Sequence, residues 1–279
     1  MTPAGSVAWI AAAPVKGLGL SLRRDAVLGR AGIEGDRAFY LVDDEGRLTN
    51  AKRAGNLLRA SAEVLDGRLL VRLPDGSVVQ GDVELAEPVE TNFYGRPVRG
   101  RVVNGPWGAA LSALAGLPLT LVRADEPGSG QDRGTAAGVT LVSTAALEVL
   151  ARAAGVDGRV DGRRFRMTLG VDGVDAHAED GWLERDVRVG AAVVVPRGNV
   201  GRCRVTTLDP DTGARDLQTL DAIDDYRADV ETTEPLPFGV WCEVVEPGRV
   251  AVGDPVELGK PITSRRGQRH RDGSGPRTR

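Results

Sequence analysis

The sequence has 279 residues, of which 41% are hydrophobic and 27% charged, a composition typical of a globular protein with ample material for a core. The formal net charge is −3, but the last 20 residues alone carry +6, which leaves −9 for the rest of the chain. An acidic body of this kind excludes a general nucleic-acid-binding surface.

Cysteine, histidine and long apolar segments are all scarce. Two cysteines in a chain of this length do not make a disulfide framework, and two histidines do not make a multi-histidine zinc site. No segment approaches the roughly 18 apolar residues of a membrane span. The apolar residues 7–15 have no basic residue before them and Lys16 directly after them, which favours a first strand over a signal peptide. We expect no membrane span and a cytoplasmic location.

The first 90 residues predict short strands separated by Gly and Asp turns. Residues 37–43 (RAFYLVD) have the composition of a strand and precede the turn sequence DDEG. Residues 69–73 and 78–79 flank a Pro-Asp-Gly turn and predict a hairpin. Strands this short and regular favour a small barrel or sandwich. We predict an N-terminal β domain over residues 1–90.

From residue 91 onward the pattern becomes mixed, and we predict a second domain over residues 91–259. A short helix is predicted at residues 109–115, where a Gly and a Pro follow the apolar segment. A second helix is predicted at residues 145–154, with Ser143 or Thr144 as its N-terminal cap. A short strand is predicted after the first helix, at residues 119–122, and another before the second helix, at residues 139–142.

Three further segments predict a helix, a loop and a disordered tail. Apolar side chains recur every three residues over residues 217–226 and predict a third helix. Residues 124–138 are rich in Gly, Ser, Asp and Glu and predict a mobile loop, for which a lid or a substrate wall is the functional hypothesis. Residues 260–279 are basic and rich in Gly and Pro, and they predict a disordered tail.

The most informative segment is GRCRVTTLDPDTG at residues 201–213, which follows the apolar residues 191–195. The apolar residues predict a buried strand, so Cys203 is expected at a strand end, with an arginine on each side. A thiolate attacks electrophiles and binds soft metals, and adjacent positive charge stabilises it. The alternative from local chemistry alone is a half-buried cysteine beside two solvated arginines.

Six other segments share their order and spacing with one family: PVKGL at residues 14–18, GDR at 35–37, LVSTAAL at 141–147, RRFR at 163–166, EDGW at 179–182 and FGVW at 238–241. With residues 201–213 they resemble the MOSC family, named after the C-terminal domain of molybdenum cofactor sulfurases and including the mitochondrial amidoxime-reducing components. The resemblance extends to residue 258. It implies a β-rich α+β fold, with a MOSC-type β-barrel core and a few helices, preceded by a small β-barrel-like domain.

The resemblance also implies a cofactor. This is the molybdenum cofactor, Mo-molybdopterin, with Cys203 as the protein ligand of the metal. A soft thiolate suits a metal that already carries sulfur ligands. Arginine and lysine suit phosphate and pterin groups, and hydroxyl side chains add further donors. The implied cofactor-binding residues are Lys16, Arg37, Ser143, Thr144, Arg164, Arg166, Thr168, Arg202 and Thr206.

The reaction implied by the resemblance is a two-electron reduction of N-hydroxylated small molecules. Some relatives carry an additional ferredoxin-like domain, but this sequence has no cysteine after Cys242 and hence no iron–sulfur cluster of its own. Electrons are therefore expected from a separate protein of the ferredoxin, flavodoxin or cytochrome type. Cys242 itself alternates within an apolar segment and is expected in the core.

Two other functions stay open at this point. Cys203 could hold a persulfide, or the protein could carry the molybdenum cofactor without turnover. Alternatively, the fold has lost the cofactor, an interpretation that departures from the family pattern permit. Those departures are at Gly17, Met167, Thr168 and Gly201.

Several candidate residues also have a purely structural interpretation. Arg164 and Arg166 alternate along a predicted strand, where they would share one solvated face. Glu179 and Asp180 could form a catalytic carboxylate pair, although a turn held by structural hydrogen bonds is favoured. His177, which lies nearby, is expected to be structural rather than a proton shuttle.

Overall fold

The structure is a computed structural model that describes residues 1–262, so nearly all of the predicted tail lies outside the described residues. The described strands are β1 (Thr2–Ala12), β2 (Ser21–Arg23), β3 (Asp25–Gly29), β4 (Gly32–Ile33), β5 (Phe39–Val42), β6 (Leu48–Thr49), β7 (Ser61–Leu65), β8 (Arg68–Arg72), β9 (Val78–Asp82), β10 (Glu84–Phe93), β11 (Arg96–Asn104), β12 (Thr120–Ala124), β13 (Val139–Ser143), β14 (Leu169–Asp172), β15 (Arg185–Val189), β16 (Ala192–Gly201), β17 (Pro237–Glu246), β18 (Gly248–Ala251) and β19 (Pro255–Pro261). The α-helices are α1 (Trp107–Ala115), α2 (Thr144–Ala153) and α3 (Thr219–Arg227).

Seven strands close into a barrel in the order β14, β13, β17, β16, β15, β19 and β1, and β1 pairs again with β14. All neighbours are antiparallel except β13 and β14. Alternate residues point inward, so Val187 and Val189 of β15 and Val240 and Cys242 of β17 belong to one buried core. The predictions of a β-rich barrel fold and of a buried Cys242 are confirmed.

A second layer packs against one end of the barrel, and we call it the N-terminal unit. It contains a five-stranded sheet in the order β10-β11-β12-β5-β6 and a three-stranded sheet in the order β7-β8-β9. The predicted hairpin is β8–β9. The two sheets share a core with α1, in which Trp107 is fully buried and donates a hydrogen bond from Nε1 to the carbonyl of Leu69 (3.2 Å).

The strands of the two layers are interleaved along the sequence. β1 lies in the barrel between β14 and β19, whereas β12, which begins at residue 120, pairs with β5 in the N-terminal unit. The predicted domain boundary after residue 90 falls inside β10. Hydrophobic patterning identifies strands but not their partners, so a boundary drawn along the sequence could not separate these layers.

The three helices lie where the sequence predicts them. α1 is followed by Gly116 in the left-handed conformation (φ 73°) that ends many helices. α2 and α3 pack together through buried apolar side chains that include Leu150 and Ile223. Throughout the described residues, no helix combines the length and apolar character needed to span a membrane.

Candidate active site

A cleft opens between the barrel and the N-terminal unit, and most of the predicted site residues line it. The barrel contributes the end of β16 and the segment after the 3-10 helix Gly162–Phe165. The N-terminal side contributes the segments around β5 and β6 and the tip of the β10–β11 hairpin. The lining side chains used below are Lys16, Arg37, Lys52, Tyr94, Asp132, Arg133, Arg164, Arg166, Met167, Thr168, Arg202, Cys203 and Thr206.

Cys203 lies at a strand end, as predicted. β16 stops at Gly201, and Cys203 precedes the 3-10 helix Arg204–Thr207. Its thiol is free and half-buried on the cleft wall. The turn at residues 209–213 is also confirmed, because Asp209 Oδ1 accepts hydrogen bonds from the backbone amides of Asp211 (3.0 Å) and Thr212 (2.7 Å).

Arg202 brings a positive charge into the cleft, and within residues 1–262 its guanidinium donates to neutral groups. Its Nη1 donates to the carbonyl of Phe165 (3.0 Å), Nε donates to the carbonyl of Phe238 (2.9 Å), and Nη2 contacts the sulfur of Met167 (2.7 Å). The guanidinium carbon also lies 5.4 Å from the centre of the Phe165 ring. Burial among these groups lowers the pKa of Arg202 to about 9. Its positive charge therefore favours an anionic ligand.

Arg166 is the second unbalanced cation. The prediction that Arg164 and Arg166 share a strand face is wrong, because the segment is a 3-10 helix after which Arg166 takes a left-handed conformation (φ 54°). Its Nη2 is buried and has no hydrogen-bond partner among the described residues. Burial, and then the charge of neighbouring Arg37, lower the pKa of Arg166 to about 10. A buried donor without an acceptor is costly, so this nitrogen is poised to bind a ligand atom.

Arg37 and Lys16 add two more cations, each with one carboxylate nearby. Arg37 pairs with Asp36 and donates from Nη2 to the carbonyl of Arg166 (3.2 Å). Lys16 Nζ lies 2.6 Å from Asp132 Oδ1 and 3.0 Å from the carbonyl oxygen of Gly130. Burial lowers the pKa of Lys16, although Asp132 acts in the opposite direction. The side chain of Asp132 is 57% exposed, so the partner of Lys16 lies on the solvent side.

Ser143 and Thr144, both predicted cofactor contacts, do not line the cleft. Ser143 occupies the N-cap position of α2, but its side chain caps nothing: its Oγ accepts a hydrogen bond from the amide of His177 (2.9 Å). Thr144 donates from Oγ1 to Asp172 Oδ1 (2.7 Å). Both residues are buried at the end of β13, where the N-terminus of α2 lies outside the cleft.

Three other predicted residues reach the cleft wall but are already paired. Arg164 forms two hydrogen bonds with Asp216 (2.7 and 2.6 Å). The hydroxyl of Thr168 accepts a hydrogen bond from the amide of Thr140 on β13 (3.2 Å) and contacts its hydroxyl, to which the Thr168 amide donates (2.9 Å). The Thr206 hydroxyl bonds Thr219 Oγ1 (2.6 Å) and the carbonyl of Cys203. These contacts leave little capacity for a ligand, and we interpret the three side chains as supports of the cleft wall.

The acidic residues before Trp182 are structural. They belong to the 3-10 helix Ala178–Trp182, and Asp180 accepts hydrogen bonds from Asn199 (2.7 Å) and Arg227 (2.5 Å). Glu179 is fully buried, and burial raises its pKa to about 7, although hydrogen bonding from Ser143 acts in the opposite direction. Burial lowers the pKa of His177 to about 3, and its Nε2 lies 3.0 Å from the Tyr226 hydroxyl. None of these carboxylates or His177 lines the cleft.

Family models match two consecutive parts of the chain. The MOSC N-terminal beta barrel domain matches residues 4–102, and the MOSC domain matches residues 130–257. Together the matches cover well over half of the chain. The chain belongs to the MOSC family.

Curated relatives agree with this assignment. The chain is 38% identical over 99 residues to human "Mitochondrial amidoxime reducing component 2", a match that covers 33% of this chain and 29% of that protein. It is 26% identical over 249 residues to the Xenopus laevis "Mitochondrial amidoxime-reducing component 1", covering 79% and 71% of the two chains. The Anopheles gambiae "Molybdenum cofactor sulfurase" is 27% identical over 229 residues, covering 70% and 29%. The matches span less than a third of the first curated relatives' length.

At two positions of the MOSC cleft, 17 and 201, the surrounding atoms explain why the residue is glycine. Gly17 has φ 97°, and a Cβ there would lie 3.0 Å from the Cα of Asn50, so glycine lets the segment after β6 approach the cleft. The amide of Gly201 donates to Glu234 Oε2 (2.9 Å), and a Cβ at Gly201 would lie 2.8 Å from the same oxygen. Glu234 in turn pairs with Arg133 (2.6 Å) across the mouth of the cleft.

Sequence reasoning missed Lys52, Tyr94 and Asp132 on the opposite wall. Only three residues of the chain are lysines, and two of them, Lys16 and Lys52, line this MOSC cleft. Burial opposes the charge of Lys52, but Cys203, Tyr94 and Asp132 together raise its pKa above the usual value. The rarity of lysine was a usable signal for Lys52; nothing in the local sequence marked the other two.

Proposed function

We propose that the chain is a molybdenum-cofactor-binding oxidoreductase that reduces N-hydroxylated substrates, with Cys203 as the protein ligand of the metal. The observation that carries this proposal is the unbalanced positive charge around a free thiol, above all at Arg166 and Arg202. The names of the relatives, amidoxime-reducing components and a molybdenum cofactor sulfurase, support the choice of cofactor and reaction class.

The residues present fit such a cofactor. A phosphate or pterin oxygen is the acceptor that Arg166 Nη2 lacks, and its negative charge would balance the guanidinium of Arg202. The half-buried Cys203 offers the soft sulfur donor that a metal with sulfur ligands prefers. Ser143 and Thr144 are excluded from this set by their position, and Arg164, Thr168 and Thr206 are left to shape the wall.

Each remaining residue has a distinct role in the proposal. Cys203 binds the metal as a thiolate, and Arg202 beside it in the chain adds positive charge to the same cleft wall. Arg37 and Lys16 bind the phosphate end. Because Asp132 is largely exposed, it can turn to solvent and free the Lys16 ammonium for that phosphate. When bound, the cofactor supplies two-electron redox chemistry, and the cleft supplies charge and position.

Reduction also needs an electron source and a substrate. We propose that a separate ferredoxin, flavodoxin or cytochrome type protein delivers the electrons, because the two cysteines of the chain, Cys203 and Cys242, cannot hold an iron–sulfur cluster between them. An N-hydroxylated small molecule enters the same cleft. The loop before β13 contributes Asp132 and Arg133 to the wall, which supports the earlier hypothesis of a substrate wall. A cytoplasmic location stays a prediction.

Metal and pterin analysis tests the proposal directly. The protein is purified from a host that makes the cofactor, as wild type, as Cys203→Ser and as Cys242→Ala. Cys242 is a matched control because it is buried in the barrel core. We expect molybdenum and pterin near one per chain in wild type and Cys242→Ala, and molybdenum lost or its coordination altered in Cys203→Ser.

Two outcomes would contradict the proposal. Folded wild-type protein without molybdenum or pterin would remove its basis, and so would a Cys203→Ser variant with an unchanged metal environment. In the first case, persulfide sulfur on Cys203 should be assayed in the metal-free protein. Its presence would favour the sulfur-carrier function, for which the cations around the thiol are equally suited.

A further inference from the structure

The N-terminal unit presents two side chains to the cleft that the proposed cofactor contacts do not use. Tyr94 lies at the tip of the β10–β11 hairpin, and Lys52 lies just after β6. Both line the cleft that contains Cys203. Tyr94 is 58% exposed, which is unusual for an aromatic side chain that is otherwise well held.

Three constraints fix the position of Tyr94. Its backbone has φ 54°, a left-handed conformation that is costly for a bulky residue. Its hydroxyl accepts a hydrogen bond from Asn50 Nδ2 (3.0 Å). The ammonium of Lys52 lies 4.7 Å from the ring centroid, within the range of a cation–π contact. An exposed ring held in this way is preorganised for a planar partner.

Lys52 differs from Lys16 in its surroundings. Lys16 is paired with Asp132 at 2.6 Å, whereas within residues 1–262 no salt bridge includes Lys52. Its ammonium contacts the ring of Tyr94, and Lys52 lines the same cleft as Cys203. Such a group donates hydrogen bonds readily to an oxygen with partial negative charge.

We propose that Tyr94 and Lys52 form a substrate-recognition pair for planar, conjugated N-hydroxylated compounds. The conjugated group stacks on the exposed ring of Tyr94, and the oxygen of the N–O group accepts a hydrogen bond from Lys52 Nζ. This inference rests on the proposed function and names the substrate class of the same cleft. It assigns substrate selection to the N-terminal unit and metal binding to the barrel.

Calorimetric titration of the purified full-length protein with two amidoximes tests the pair. Benzamidoxime is planar and aromatic, and acetamidoxime carries the same N–O group without a ring. Aromatic pairs contribute enough that Tyr94→Ala should weaken benzamidoxime binding about fivefold while leaving acetamidoxime unchanged. Tyr94→Phe keeps the ring and should stay close to wild type. Lys52→Gln should weaken both probes about tenfold, because both lose the charged donor, and Lys52→Arg should retain most of the affinity.

The same samples separate this inference from the proposed function. Molybdenum content and thermal unfolding are measured for each variant, and both should match wild type. Absent molybdenum would contradict the proposed function, whereas the preference for the planar probe is judged from binding alone. Equal loss of both probes in Tyr94→Ala, or unchanged binding of both probes in Tyr94→Ala and Lys52→Gln, would overturn the recognition pair.

Discussion

The 3-10 helix Gly162–Phe165 and the cleft beyond it hold arginines in opposite electrostatic surroundings. On the helix, Arg163 is matched by Asp161 (2.6 Å) and Asp211 (2.7 Å), and Arg164 by two bonds to Asp216. Two residues later, Arg166 has a buried Nη2 without any acceptor in the described part of the chain. The ion-paired arginines, Arg163 and Arg164, connect parts of the chain, whereas the buried donor of Arg166 is one that a bound ligand would satisfy.

Glu179 is a buried acidic group without an oppositely charged partner, and burial is costly for it as it is for Arg166. It is fully buried in the 3-10 helix Ala178–Trp182, which packs on β13, β16 and β17, and within residues 1–262 no cation forms a salt bridge with it. Burial raises its pKa to about 7, so it can lower its cost by holding a proton. Arg166 lacks that option near neutral pH, since its pKa is lowered only to about 10. An unmatched acid can neutralise itself, whereas an unmatched arginine needs a ligand.

The largest expected effect is the pH dependence caused by Glu179. The pKa is near 4.5 in the unfolded chain and about 7 in the folded protein. Below pH 4.5 the carboxyl is protonated in both states; as pH rises through 7, the folded state loses stability. The shift corresponds to about 3 kcal/mol. Urea unfolding of wild type and Glu179→Gln at pH 5 and pH 9 should show the variant gaining about that amount relative to wild type.

An equal pH response in the two proteins would mean that Glu179 ionises in the fold without cost. His177 contributes in the opposite direction. Its pKa is lowered from 6.5 to about 3, so the folded state loses stability as pH falls below 6.5. This acid-side loss should persist in Glu179→Gln and serves as the internal control.

The next effect concerns cofactor affinity. Arg166→Gln removes the unmatched charge, and the loss of a charged hydrogen bond of about 2 kcal/mol lowers affinity about thirtyfold. The free energy of unfolding of cofactor-free protein should not fall, because no pair is broken. Cofactor retention during dialysis and urea unfolding measure the two quantities. Wild-type retention of cofactor would show that the buried Nη2 faces no ligand.

Arg164→Gln should give the reverse pattern. It leaves Asp216 and Asp209 without their cation, and because Asp216 is partly exposed the expected loss of stability is about 1.5 kcal/mol. Molybdenum per folded chain should stay at the wild-type level. Unfolding curves and metal analysis of the same preparation test this, and metal loss without destabilisation would place Arg164 among the cofactor contacts.

The smallest effect is expected at the surface. Asp211→Asn weakens the contact with Arg163, but Asp211 is 67% exposed and Arg163 keeps Asp161. Exposed ion pairs of this kind contribute about 0.5 kcal/mol. Urea unfolding at low and high salt should show a small difference that salt removes. A loss as large as that of Arg164→Gln would mean that the turn at residues 209–213 depends on this bond.

The strands, helices and position of Cys203 follow from local sequence, and the pairing of the arginines does not. Apolar alternation, Gly116 and the β-branched residues before Cys203 each act on their immediate neighbours. Arg164 gives no local indication of its partner Asp216, which is 52 residues away. Only the fold decides which of two near-adjacent arginines is neutralised.

The positions of Ser143, Thr144 and Tyr94 relative to the cleft also depend on the tertiary fold and not on local sequence. Ser143 is the N-cap of α2 and Thr144 its first residue, a place that suits an anion, yet the side of the barrel on which a helix begins depends on strand order. Tyr94 carries no signal at all, because its hairpin reaches the cleft through packing between the two layers. The family resemblance predicted most of the residues that line the cleft, and the structure added Lys52, Tyr94 and Asp132.

The pairing of β1 with both β14 and β19 means that the barrel cannot close until the end of the described chain has been synthesised. The first strand of the barrel emerges from the ribosome about 250 residues before its last neighbour, which at typical elongation rates is a delay of about 10–50 s. Until Pro255–Pro261 is made, β1 and β15 each keep an unpaired edge that another chain can join. Loss of those seven residues should therefore appear first as aggregation during expression, before any change at the cleft is measurable.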